Sequence, residues 1–397
     1  MSGRDHDFFA VCPPGLRQIC HSELTALPGR LEKDRITPVV PDIKALTALP
    51  GGIRFVSRLD AACLANIFLG SPTRILMRIA GFKADNFSRL EHHVKSIDWE
   101  LFLPPDLENR HLNIQVTARK SRLYHSDAIA ERIRPLILNH LKYVRDHLPA
   151  VSGDSGPRTQ TLMIRADQDR FKLSLDMSGA SLYKRGIKQK IVRAPLRETL
   201  AYAILKRLNF SPDDTLVDPM CGSGTFSLEG AMIRAAVPPG LFRRFAFEAW
   251  PGFREKGFRH ARTRVQDGIS PATAPSIFAS DLDAAAVSNL KDSLSTHPLF
   301  GSISADTLDF FDVRPPDVPA GTGVVVLNPP YGRRLEKGMD KGKFFREIGK
   351  KLAKDFKGFR AGIIYPEKHL AKDLGLNLSP MTFFHGGLDL YAGIGRI

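Results

Sequence analysis

Short apolar strand patterns alternate regularly with helical patterns through the second half of the chain. The strand patterns cover residues 215–218, 277–281, 302–306, 324–328 and 362–365, and the helical patterns cover 225–236, 283–295 and 344–356. Apolar strands that alternate with helices build a parallel sheet covered on both faces. This alternation predicts an α/β fold with an open Rossmann-like sheet, which the segments 382–384 and 388–394 complete as final strands.

The first half of the chain has a mixed α/β pattern. Strands are predicted at 8–11, 51–58, 74–80 and 112–118, and helices at 14–27, 61–69 and 126–147. Two further strands, 161–165 and 171–176, flank a polar turn and predict a hairpin. A Ser-, Gly- and Pro-rich loop is expected at 151–160.

The charge of the chain favours a polyanionic partner. The 397 residues include 57 Lys and Arg against 42 Asp and Glu, which gives a net charge of +15 and a pI of about 9.7. Lys and Arg near phosphates release counterions and so bind nucleic acid. One stretch, Tyr183 to Arg197, lacks acidic residues. We interpret it as facing RNA rather than as a solvated linker, with candidate contacts at Tyr183, Lys184, Arg185, Lys188, Lys190 and Arg193.

Cysteine spacing and hydropathy exclude several other classes of protein. The four cysteines show no CxxC pair, so we expect neither a zinc site nor disulfides, and no metal. The chain starts without a basic segment followed by an apolar one, and its apolar runs are shorter than a membrane span. We therefore expect a cytoplasmic protein without a membrane partner. We also expect a monomer.

A glycine-rich loop follows the first strand of the second half. Glycine lets a backbone turn sharply and approach a ligand closely, and ligands of open α/β sheets bind at the carboxyl ends of strands. Gly-x-Gly alone is a weak signal, but the longer run is specific. For Cys221 we favour packing in the cofactor wall over a nucleophile. The predicted cofactor loop consists of Asp218, Pro219, Met220, Cys221, Gly222, Ser223, Gly224 and Thr225.

Acidic residues end the next two strands. Asp281 ends the second strand, where a carboxylate accepts hydrogen bonds from ribose hydroxyls. Asp306 ends the third strand and could accept from an adenine amino group, although a surface turn residue is a close alternative. Asp283 is more simply the cap of the following helix.

Asn328, Pro329, Pro330 and Tyr331 follow the apolar run 324–327. Two prolines fix the backbone and remove two donors, which leaves carbonyls free to accept. The Asn328 side-chain oxygen and the Pro329 carbonyl can then accept both hydrogens of one NH₂ group, and Tyr331 offers a face on which a base stacks. We favour this amine clamp over a proline-rich turn, and we assign Asn328 to both the catalytic set and the cofactor site.

The chain resembles the THUMP-domain N2-guanine RNA methyltransferases, which act on large-subunit ribosomal RNA, and their transfer-RNA relatives. The resemblance depends on the runs 218–225 and 328–332, on 194–200, and on 175–179 with 183–186. It implies a ferredoxin-like domain (1–65), a THUMP RNA-binding domain (66–180) and a Rossmann-like methyltransferase domain (181–397). It also implies that Pro195 and Glu198 lie near the cofactor, S-adenosylmethionine.

These features predict an S-adenosylmethionine-dependent enzyme that methylates the exocyclic N2 of a guanosine in 23S rRNA, with tRNA as the first alternative substrate. One alternative is a DNA amino-methyltransferase, which would share the clamp and the glycine loop. Another is a non-catalytic RNA-binding assembly factor, against which the intact clamp argues.

Overall fold

The computed structural model describes residues 4–37, 42–147, 159–187, 196–271, 274–295, 297–330 and 340–397. The chain forms two compact units. Unit 1 comprises residues 1–12, 20–182 and 242–264, and unit 2 comprises residues 13–19, 183–241 and 265–397.

Unit 1 contains one seven-stranded sheet. Its strands are His6–Val11 (β1), Ile43–Leu49 (β2), Gly52–Ser57 (β3), Arg74–Lys83 (β4), Leu112–Arg119 (β5), Gln160–Asp167 (β6) and Arg170–Asp176 (β7), in the order β2-β3-β1-β4-β7-β6-β5. The helices of this half are Arg17–Lys33 (α1), Leu59–Phe68 (α2), Phe87–Lys95 (α3) and Ser126–His147 (α4). The order β2-β3-β1-β4, with α1 after β1 and α2 after β3, is the ferredoxin-like arrangement.

The sheet is continuous across residue 65, because β4 pairs with β1 on one side and with β7 on the other. The division at 65 and 180 therefore stays a prediction, as does the THUMP assignment. Residues 242–264, predicted as part of the methyltransferase domain, belong to the compact unit 1.

The first helix extends beyond its predicted end. The sequence places the helix at 14–27, yet α1 runs from Arg17 to Lys33 with Pro28 inside it. Proline removes a helical hydrogen bond. Here Leu24 and Leu27, before the proline, and Leu31, after it, are all buried on one stripe, and this burial offsets the lost bond.

The hairpin of unit 1 is confirmed. Strands β6 and β7 pair antiparallel, and Gln168 and Asp169 between them both have positive φ, 52° and 61°. Two successive positive φ values define the type I′ turn, whose twist matches that of the strands. The predicted loop at 151–160 falls largely outside the described residues.

Unit 2 contains the predicted parallel sheet. Its strands are Thr215–Asp218 (β8), Ile277–Asp281 (β9), Ile303–Thr307 (β10), Gly323–Leu327 (β11), Arg360–Tyr365 (β12), Ser379–His385 (β13) and Leu388–Arg396 (β14). The helices are Glu198–Arg207 (α5), Thr225–Arg234 (α6), Ala284–Ser295 (α8), Lys341–Asp355 (α9) and Leu370–Leu374 (α10), while Glu255–Asp267 (α7) spans the two units.

The strand order of unit 2 is β10-β9-β8-β11-β12-β14-β13, parallel from β10 to β12 and antiparallel at β14 and β13. This is an open Rossmann-like sheet, as predicted. No helix within the described part of the chain is both long and apolar enough to cross a membrane.

Candidate functional site

The candidate site lies at the carboxyl edge of the sheet in unit 2. The chain builds β8, β9 and β10 in one direction across the sheet and then returns to build β11 and β12 on the other side of β8. Open α/β sheets bind ligands at such a switch point. The register of the pairs β8/β9 and β8/β11 brings Asp281 and Asn328 to the same level, on either side of the loop after β8.

Hydrogen bonds fix this loop from within. Asp218 is fully buried, and its Oδ2 accepts from Ser227 Oγ at 2.7 Å and from the Ser227 N–H at 3.2 Å. The Cys221 N–H donates to the Ser280 carbonyl at 2.9 Å, and the Gly224 N–H donates to the Cys221 carbonyl at 2.8 Å. The loop is therefore tied both to α6 and to β9.

The two glycines of the loop serve different purposes. Both have positive φ, 51° at Gly222 and 70° at Gly224, which favours glycine. A Cβ on Gly224 would lie 2.5 Å from Leu290 Cδ1, so this glycine lets α6 begin close to α8. A Cβ on Gly222 would meet no atom of the described residues within 4 Å. Gly222 thus borders open space into which a ligand can fit.

Asp281 holds the loop and keeps capacity for a ligand. Its Oδ2 accepts from the Gly222 N–H at 2.7 Å, and its Oδ1 accepts from the Asp283 N–H at 3.0 Å. Each carboxylate oxygen can accept a second hydrogen bond, and the side chain is only half-buried. The residue therefore fits the predicted ribose contact. Asp283 caps α8 as predicted, because its Oδ1 accepts from the N–H groups of Ala285 and Ala286.

The rim beyond Asp281 includes apolar side chains that the sequence did not single out. Leu282 is 72% exposed and Phe311 is 37% exposed, and they follow β9 and β10 respectively. For Leu282, the available signal was a large apolar residue directly after a strand-ending acid. Asp306 is exposed on the edge strand β10 and accepts from Ser304 Oγ at 3.2 Å. Its contact with adenine stays a prediction.

Asn328 follows the fully buried strand β11 and carries an unsatisfied acceptor. Within the described residues, no group donates a hydrogen bond to its buried Oδ1 atom. Pro329 is buried and Pro330 half-buried. Because buried polar atoms in native proteins nearly always have partners, the Asn328 oxygen can accept from a donor outside the described residues.

The environment of Cys221 disfavours a nucleophile. Burial raises the pKa of its thiol well above the usual range, and the negative charges of Asp218 and Asp281 raise it further. Only the thiolate is nucleophilic. This supports the prediction that Cys221 packs in the wall of the loop.

Two predicted site residues are buried and form hydrogen bonds with other residues of the protein. Arg185 was expected to face RNA, but it is buried, with its Nε 2.9 Å from Glu229 Oε1. A guanidinium buried against a carboxylate does not reach a phosphate, so we correct Arg185 to a structural role. Thr225 is also buried, and its Oγ1 donates to the Leu196 carbonyl at 3.4 Å.

The structure describes some of the remaining predicted site residues and not others. Tyr183 lies half-buried beneath the Arg197 guanidinium, which is 5.3 Å from its ring centre, and Lys184 is exposed. Glu198 is half-buried in the first turn of α5. The residues Lys188, Lys190, Arg193, Pro195 and Tyr331 lie outside the described ranges.

Comparison with known proteins identifies similar sequences and structures. Residues 185–379 match the family model UPF0020, described as an RMKL-like methyltransferase domain. The chain is 31% identical to the putative RNA methyltransferase slr0064 of Synechocystis over 381 residues, 95% of this chain and 93% of that protein. The crystal structure of SMU.472, a putative methyltransferase complexed with SAH, aligns with a TM-score of 0.81 and 25% identity, covering 99% of both chains.

The chain is also 31% identical to the ribosomal RNA large subunit methyltransferase K/L of Methylococcus capsulatus, over 96% of its own length. It spans about half the length of the K/L relatives, 50% in that species and 52% in Syntrophotalea carbinolica.

Proposed function

The chain belongs to the RMKL-like family of RNA methyltransferases, and from that premise we propose that it methylates the exocyclic N2 of a guanosine in large-subunit ribosomal RNA. Its cofactor is S-adenosylmethionine, as in the family. The guanine N2 atom and the large-subunit RNA are the parts that we propose. The names of the K/L relatives support the choice of RNA.

The observation that carries the proposal is the unsatisfied oxygen of Asn328. It lies at the switch point of the sheet, at the level of Asp281 across the loop. An exocyclic NH₂ group supplies the hydrogen that this oxygen lacks. A ring carbon carries no comparable donor, and a ribose hydroxyl has one hydrogen where an amine offers two. The geometry therefore favours an amine as the acceptor of the methyl group.

Asn328 and Pro329 are proposed to hold that amine. The Asn328 oxygen accepts one amine hydrogen and the Pro329 carbonyl accepts the other, which directs the nitrogen lone pair away from both acceptors. S-adenosylmethionine carries its methyl group on a sulfonium and so supplies an electrophilic carbon. The N–CH₃ bond forms as the S–CH₃ bond breaks, and the nitrogen then releases one proton to solvent. Orientation and preorganised acceptors provide the rate enhancement, so no strong base is required.

We propose that the methyl donor, S-adenosylmethionine, binds against the glycine-rich loop after β8 and the apolar rim beyond Asp281. Asp281 would accept from the ribose hydroxyls, the open space at Gly222 would admit the cofactor, and Leu282 would offer an apolar surface to the adenine. The target base must leave its stack or lie in an unpaired loop to reach Asn328. Tyr331 would then give it an aromatic face.

Nucleoside mass spectrometry tests the proposal. Ribosomal RNA and tRNA are fractionated from cells that lack the protein and from cells that express it, and each fraction is digested to nucleosides. We expect N2-methylguanosine in 23S rRNA to fall without the protein and to return with it. A change in N6-methyladenosine, or a change confined to tRNA, would overturn the base or the RNA that we assign.

A further inference from the structure

One face of the sheet in unit 1 presents cations side by side. Strands β6 and β7 alternate along their lengths, so that Arg165 is exposed between the buried Ile164 and Ala166. Lys172 is likewise exposed between two buried residues of β7. Helices α2 and α4 pack on strands β4 and β5 of this sheet. We call Arg54, Arg78, Arg165 and Lys172 the cationic sheet face.

Arg165 and Lys172 are direct cross-strand partners in the antiparallel pair β6/β7. Residues in such positions have Cβ atoms about 4.5–5.5 Å apart, and like charges there destabilise a sheet. Among the residues that the structure describes, Asp167 is the one carboxylate that pairs with Arg165, at 3.9 Å, and the Arg165 side chain is 61% exposed. Within the described residues no carboxylate forms an ion pair with Lys172. The sequence thus keeps two like charges opposite each other, although a neutral or acidic residue at one of the two positions would make the sheet more stable.

The cations continue towards the centre of the sheet. Arg78 lies on β4 with its guanidinium 4.8 Å from the ring centre of Phe9. The nearby Asp7 is engaged by Arg54, whose Nε is 3.0 Å from both of its carboxylate oxygens. Burial lowers the pKa of Arg78, and the charges of Arg54 and Arg165 lower it further, against the opposing effect of Asp7. The positive charge of this face therefore exceeds the acidic charge that accompanies it.

Exposed hydrogen-bonding side chains border these cations. On β5, Thr117 lies opposite Arg165, and Gln115 lies opposite Met163. Neighbouring strands are about 4.7–4.9 Å apart, so the face offers rows of donors at short, regular spacing. A partner that matches it must bring closely spaced negative charges with oxygen acceptors, which a sugar–phosphate backbone provides.

We propose that the cationic sheet face of unit 1 binds the phosphate backbone of the RNA substrate and positions it for methylation. This inference rests on the proposed function in that the substrate is RNA. In the complex, phosphates would neutralise the repulsion between Arg165 and Lys172. This gain on binding explains why the sequence keeps both cations although they repel each other in the free protein.

One substitution separates binding from stability. Lys172→Glu places a carboxylate opposite Arg165, so it should stabilise the free protein and weaken the complex. We expect the melting temperature of the full chain to rise by ~1–3 °C. We expect the salt dependence of binding to an unmodified 23S rRNA transcript to lose about one unit of slope, with weaker affinity at every salt concentration.

Lys142→Glu is the matched control, because it makes the same charge change at an exposed position of α4 in the same unit. It should leave the slope of RNA binding unchanged, and both variants should bind S-adenosylmethionine like the wild type. Unchanged RNA binding by Lys172→Glu, or an equal loss in both variants, would overturn the assignment of this face. A wild-type chain that neither binds nor methylates RNA would instead refute the proposed function.

Discussion

Substituting the two loop glycines by alanine separates the packing of the loop from its contact with the cofactor. Gly222→Ala and Gly224→Ala both force a side chain into the left-handed region, at a cost of roughly 1–2 kcal/mol each. At Gly224 the new Cβ would also lie 2.5 Å from a side chain of the buried Leu290, and overpacking costs about 1–3 kcal/mol more. Gly224→Ala should therefore be the less stable protein.

The order of cofactor affinities should be different. The Cβ added at Gly222 points into the open space beside Asp281, where we place the cofactor. We expect Gly222→Ala to weaken S-adenosylmethionine binding by about tenfold or more, equal to ~1.4 kcal/mol, although it perturbs folding less than Gly224→Ala.

Thermal unfolding and calorimetric titration with S-adenosylmethionine measure the two quantities on the same preparations. A folded Gly222→Ala variant with wild-type affinity would refute the position of the cofactor. A Gly224→Ala variant no less stable than Gly222→Ala would refute the contribution of the contact with Leu290.

Three further substitutions test other parts of the site. Asp281→Ala should weaken cofactor binding by about 1–3 kcal/mol, because the proposed acceptor for the ribose hydroxyls is lost; unchanged affinity in calorimetry would remove Asp281 from the site. Arg185→Met should lower the free energy of unfolding by about 3–5 kcal/mol, since the buried carboxylate of Glu229 loses its guanidinium partner. Adding Glu229→Leu should restore much of that loss in urea denaturation, whereas an RNA-contact role for Arg185 predicts no rescue. Cys221→Ala should keep the methyl-transfer rate and its pH profile between pH 6 and pH 9, because the raised thiol pKa keeps Cys221 protonated in that range; a rate that collapses or a shifted profile would restore the nucleophile interpretation.

Hydrophobic patterns predicted both the short apolar runs that form buried strands and the helices that expose one face. Strands of the parallel sheet and the amphipathic helix α4 appear close to their expected bounds. Helix α5 was missed because most of its residues, from Thr199 to Leu205, are buried, so it shows no polar stripe. Strand β2 was missed because most of it is exposed and lacks the alternation of a half-buried strand.

Local sequence also predicted the glycine-rich loop between β8 and α6, because its backbone shape is set by neighbouring residues. The amine clamp stays a prediction. Local sequence could not predict that Arg185 is buried in an ion pair, because its partner Glu229 lies 44 residues further along the chain. The cationic sheet face could not be predicted either, because Arg165 and Lys172 become neighbours only through strand register.

The most direct measurement is the single-turnover rate of methyl transfer by Asn328→Ala on unmodified 23S rRNA. Loss of a preorganised contact to the reacting group should lower this rate roughly 10²–10³-fold. Affinity for S-adenosylmethionine should stay near that of the wild type, because Asn328 faces the acceptor amine. Asn328→Asp, which keeps an acceptor oxygen at this position, should retain more activity than Asn328→Ala. A rate for Asn328→Ala within a few-fold of the wild type would contradict the clamp, as would a loss of activity explained entirely by weaker cofactor binding.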